Sequence, residues 1–162
     1  MFASLADLLA RSNSRRLFQL AVPADRAMPG DAALRDAMGG AVLTDYGSEV
    51  AETLGLALSA MNGALADAQA LMVGYGVPVT ASGPLVSRLC STIALYYLQG
   101  SERMTEDVRR AFESAQGTLK AYARGEVELM PPSPGVAPAE DEILIESGPG
   151  RYGLGLPMGS DG

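Results

Sequence analysis

Histidine is absent from this 162-residue chain, which also has no tryptophan, one cysteine, one lysine and three phenylalanines. Each scarcity excludes something. Without histidine, His-liganded metal sites, Ser-His-Asp triads and Cys-His pairs cannot be assembled within the chain. A lone cysteine, Cys90, rules out an internal disulfide and gives no sign of an oxidising compartment. Positive charge is also short: 12 basic against 19 acidic side chains leave a net charge of −7, which argues against tight binding to a phosphate backbone. No uninterrupted apolar run reaches the roughly 18–20 residues of a membrane span. The N-terminus has no basic stretch, and Asp7 interrupts its first apolar run, so no signal peptide is expected. The expectation is a soluble protein made inside the cell.

What is present points to helices. Apolar residues make up 48% of the chain, much of it alanine, and a core of Leu, Ala, Met and Val suits helices packed closely through small residues. Ser4 is placed to cap a first helix carrying Leu5, Leu8 and Leu9, which ends near Ser12, Asn13 and Ser14. Residues 23–47 form an irregular insertion in which 31–38 could be a short helix, and 41–43 a brief extended piece. Ser48 then caps a long helix running to about Val73. Its Leu54, Leu58, Met61, Leu65, Ala68 and Met72 recur at three- and four-residue steps, which places them on one face. Gly55 and Gly63 each weaken that helix by about 1 kcal/mol relative to alanine, yet with Ala57, Ala60 and Ala64 they would let another backbone approach closely.

Pro84 suits the first position of a third helix, with Leu85, Leu89, Ile93 and Tyr97 on one side, flanked by Val86, Cys90 and Ala94. Thr105 caps a fourth, whose buried stripe is Val108, Phe112, Ala115, Leu119 and Tyr122. The expected fold is therefore all-α: a four-helix body over residues 1–129, built on the long central helix, followed by an extended arm over 130–162. From Pro131 onward the chain holds six of its ten prolines and seven glycines. Residues 126–146 carry six acidic side chains and no basic one, a composition that cannot bury enough apolar surface to fold alone.

No catalytic residue, cofactor or metal site is expected. Glu106 and Asp107 sit in a first helical turn, where they stabilise the macrodipole, and Cys90 falls on an apolar face as a structural thiol. Arg11, Arg15 and Arg16 form the densest positive cluster. They are either a solvated helix end or an arginine contact to acidic surface on a partner; three charges amid a net −7 make a poor DNA footprint. Tyr96 and Tyr97 point to different faces, so one enters the core and the other is a half-exposed ring or an interface anchor. In the arm, Ile143, Leu144, Ile145, Arg151, Tyr152, Leu154 and Leu156 are candidate anchors onto a partner.

Several segments carry a resemblance: 2–11 (FASLADLLAR), 71–79 (LMVGYGVPV), 84–98 (PLVSRLCSTIALYYL), 106–113 (EDVRRAFE) and 119–129 (LKAYARGEVEL). Together they resemble the head–tail connector, or adaptor, proteins of Mu-like tailed phages over about two-thirds of the chain. Residues 23–47 and the tail after Leu129 depart from that pattern. The resemblance implies a virion protein of the phage neck, made in the host cytoplasm. It implies a homo-oligomeric ring, commonly of twelve subunits, docked beneath the portal protein. Its partners would be the portal, neighbouring copies and a downstream stopper or tail-terminator protein, with DNA passing the channel without specific binding and no membrane involved. A small helical regulatory or antitoxin-like binding module is the alternative that composition leaves open.

Overall fold

The helices follow from their ends. At the N-terminus the Ser4 side chain accepts from the Asp7 backbone N–H while the Asp7 carboxylate accepts from the Ser4 N–H at 2.7 Å, a capping box that starts α1, Leu5–Arg11. The computed structural model describes residues 1–130. Within them the chain runs through α2 (Ser14–Ala21), α3 (Asp31–Met38), a 3-10 turn (Thr44–Tyr46), α4 (Ser48–Gly74), α5 (Pro84–Gln99) and α6 (Glu106–Ala123), with no strand among the described residues.

The fold is all-α, as the sequence indicated, but the body has six helices rather than four. The additional α2 begins where the first helix was expected to fade. Ser12 is the C-cap of α1, and the Asn13 side chain accepts from the Arg16 N–H at 2.8 Å as N-cap of α2. One short polar run thus ends a helix and starts the next. Residues 23–47 are less irregular than expected. α3 buries Ala33, Leu34 and Ala37 against α2 and α4, while 41–43 form no strand. Arg26 clamps the loop before α3 to α4 with two hydrogen bonds to Glu52, at 3.1 and 3.3 Å.

Pro84 is at the first turn of α5 as expected, but the cap of α4 is corrected. Gly47 takes the N-cap position with a φ of 83°, so Ser48 is the first helical residue rather than the cap. The left-handed φ explains why a residue without a Cβ stands there.

The 27-residue α4 lies along α5, the most extensive helix contact in the body. Leu54, Met61, Leu65, Ala68 and Met72 are buried on this seam, while Leu58 is half-buried. From α5, Cys90 reaches the Leu65 carbonyl of α4, and Val86, Leu89, Ile93 and Ala94 are buried as well. α1 and α6 pack on α5, and α2 bridges α3, α4 and α5. Tyr97, placed on the apolar side by spacing, is 39% exposed. Its neighbour Tyr96 stacks on Phe112 of α6 instead, with ring centroids 3.8 Å apart and planes within 9°. Every buried side-chain nitrogen and oxygen among the described residues has a hydrogen-bond partner.

Candidate interaction surfaces

Two surfaces stand out, built from different elements. The first is a groove with α5 as its floor. Gln99, at the end of α5, is buried and donates from Nε2 to the Arg103 carbonyl at 2.7 Å, fixing the loop after the Gly100 cap. Arg103 in turn donates to the Gln19 carbonyl of α2. This link holds α2 and the α5–α6 loop around a cavity of about 690 Å³, rimmed by Arg15, Arg16 and Arg103. A second cavity of about 410 Å³ shares Arg16, Leu20 and Gln99 with the first and adds Arg11, Leu95 and Val108. A third, of about 360 Å³, shares Arg11 and adds Arg88, Leu85 and Leu89 of α5 and Ala115 of α6.

The three expected arginines, Arg11, Arg15 and Arg16, are therefore brought together, and two that the sequence did not single out join them. Arg88 stands one helical turn from Leu85 and Thr92 on the groove side of α5, and Arg103 comes from the loop beyond it. No carboxylate lines any of the three cavities. Arg15 pairs with Asp31 at 3.3 Å at an exposed rim, whereas Arg11, Arg16, Arg88 and Arg103 have no carboxylate partner among the described residues. The helix-end explanation holds for Arg11, in the last turn of α1. It fails for Arg15 and Arg16, which occupy the first turn of α2, where the helix dipole disfavours cations. By contrast Arg109 and Arg110 of α6 both pair with Glu106 within their own helix.

The second surface is the outward face of α4. Gly55, Leu56, Ser59, Ala60, Asn62, Gly63, Ala66, Asp67, Ala70 and Val73 are all exposed there. Between the clamp at Glu52 and the helix end, Asp67 is the one charged residue on this face. A Cβ added at Gly55 or Gly63 would meet nothing within 4 Å, so packing inside the chain does not require these glycines. Helix α4 is also long and apolar enough, by length and composition, to cross a bilayer: its best 18-residue window has mean hydropathy 1.2 and is one-third buried. That corrects the expectation of no such stretch, which considered only uninterrupted apolar runs. In this fold most of its large apolar residues are buried and its outward face is mostly small, with Leu56 and Val73 the large apolar residues exposed there, the pattern of a core helix with one bare side.

Chemistry is sparse elsewhere. Cys90 is fully buried, its Sγ 3.8 Å from the Leu65 carbonyl, and burial pushes its pKa up to about 11, so it stays a protonated, structural thiol at neutral pH. No group of three or more Asp, Glu, Cys or His residues able to hold a metal occurs among the described residues. The arm candidates Ile143, Leu144, Ile145, Arg151, Tyr152, Leu154 and Leu156 lie outside the described residues.

A family model described as bacteriophage Mu, Gp36 matches residues 2–146. The chain belongs to the bacteriophage Mu Gp36 family. It is thus a phage protein of the Mu-like kind, and the Gp36 match covers both the region 23–47 and the first part of the acidic tail, which the resemblance by motif had set apart. No curated protein and no solved structure matches it.

Proposed function

We propose that this Gp36-family protein is a structural component of the virion, a ring adaptor that docks beneath the portal and joins the phage head to the neck and tail. The observation that supports this most is the outward face of α4 in a chain of phage origin. A 27-residue helix that keeps two unneeded glycines, the four small residues Ser59, Ala60, Ala66 and Ala70, and almost no charge on its bare side gives up helix stability for a surface another backbone can approach closely. Side-by-side copies in a closed ring meet through one such surface repeated around the axis. The net charge of −7 suits a conduit that repels rather than grips passing DNA. Portal, neighbouring copies and a downstream stopper or tail-terminator protein are the partners of this reading, and the neck is its place in the particle.

A phage carrying a stop codon in this gene tests it. The expected result is DNA-packaging heads that accumulate without tails, and complementation by the intact gene. Tailed, infectious particles lacking the protein would overturn the reading.

A further inference from the structure

We infer that the arginine-lined groove over α5 receives the acidic segment 140–146 of a second copy of this chain. The groove concentrates five arginines in a protein of net charge −7, and Arg15 alone of them has a carboxylate partner among the described residues. Gathered cations of this kind repel one another until an anion occupies the space between them, and arginine is the side chain best fitted to bind carboxylates in pairs. The floor is not polar: Leu20, Leu85, Leu95 and Val108 are only half-covered. A fitting occupant therefore carries carboxylates around an apolar centre.

Residues 140–146 have that order. Glu140, Asp141 and Glu142 precede Ile143, Leu144 and Ile145, and Glu146 follows. The dimensions agree as well. Leu85 and Gln99 mark the groove's ends and are separated by roughly 21 Å of helix, while seven extended residues span at most about 23–25 Å. The family match runs through this segment and stops at its last residue. A phosphate backbone would satisfy the arginines but leave the apolar floor uncovered, so a protein segment is the better fit. That the donor is a second copy rests on the multi-copy assembly proposed above.

Charge exchange between full-length chains tests the inference. Arg15 and Arg16 are exposed, so R15E/R16E should melt like the wild type; E140K/D141K/E142K changes only the tail. In sedimentation at high protein concentration and low salt, the wild type should self-associate and lose that association in high salt. Each variant alone should sediment as a monomer, since R15E/R16E cuts the groove from five positive charges to a net of one, and E140K/D141K/E142K turns the segment positive against a positive groove. An equimolar mixture of the two should associate again. A mixture that stays monomeric, variants that associate like the wild type, or a wild type that is monomeric throughout would each overturn the proposal. So would duplex DNA binding that disappears in R15E/R16E while self-association is unchanged. The adaptor reading is judged separately by the tailless-particle phenotype, so either idea can fail without the other.

Discussion

The groove over α5 and the outward face of α4 are both open surfaces of one small body, yet they are made by opposite means. The groove is long-range: α1, α2, α5 and the loop before α6 must all be in place before its arginines converge. Its chemistry is charge over an apolar floor, which selects a partner by sign and pattern. The α4 face belongs to a single helix and has almost no charge; it discriminates by how near another surface can come. Charge governs recognition and salt response, whereas small size governs close packing. The proposed ring adaptor, joining like copies and binding a segment of defined sign, would have use for both.

The largest expected effect removes both surfaces together. Leu65 is fully buried on the α4–α5 seam, so Leu65→Asp should cost about 4 kcal/mol or more, because the carboxylate has no partner there. Leu58, half-buried, should tolerate the same change at a smaller cost. Thermal melting followed by circular dichroism separates the two, and wild-type melting of the Leu65 variant would mean the seam is wrongly placed.

A second change separates the surfaces. Gly63→Leu places a large side chain on the outward face of α4, where nothing within the chain opposes it. Melting should stay within about 1 kcal/mol of wild type, while incorporation into particles is lost and the salt-sensitive association through the groove persists. Incorporation at wild-type levels would show that α4's bare side meets nothing.

Loosening a groove wall should cost less. Ser4→Ala removes the cap of α1 and should destabilise the body by about 1 kcal/mol. The effect has a pH signature. Hydrogen bonds from the Ser4 hydroxyl, then from its backbone, hold the Asp7 carboxyl below its ordinary value. Stabilisation from a carboxyl depressed in the folded state is complete above its unfolded value, and is lost as pH falls below roughly 4. The gap between wild type and variant should therefore narrow in acid; a gap that widens there would contradict the cap.

The smallest effects come from single exposed positions on the two surfaces. Gly55→Ala should stabilise the body by about 0.5–1 kcal/mol, since a helical glycine with open space gains from a methyl. Arg15→Ala should change stability by no more than about 0.5 kcal/mol, because its pair with Asp31 is exposed. Chemical denaturation measures both.

The two surfaces also differ in how far they could be read from sequence. The inward face of α4 was legible because Leu54, Met61, Leu65, Ala68 and Met72 repeat with the period of a helix, and that local rule holds along all 27 residues. The outward side was partly legible: Gly55, Ala60 and Gly63 are exposed on it, but Ala57 and Ala64, grouped with them in the sequence, are buried in the body. The groove was legible only in part. Arg11, Arg15 and Arg16 cluster in the chain, but Arg88 and Arg103 reach them through packing of elements more than seventy residues away, which no local pattern encodes. Local signals failed where one residue serves two ends. Asn13 looked like a helix stop and is a helix start, and Ser48 looked like a cap although Gly47, with its left-handed backbone, holds that position. Tyr97 followed the helical period but is exposed, while the half-buried Tyr96 stacks on Phe112.

A reconstruction of the phage neck tests the central claim most directly. The account expects several copies of this chain in a closed ring beneath the portal, with Gly55, Ala60, Gly63 and Ala66 of each α4 against the neighbouring copy. A neck without this protein, or a ring in which α4's outward face meets only water, would contradict it.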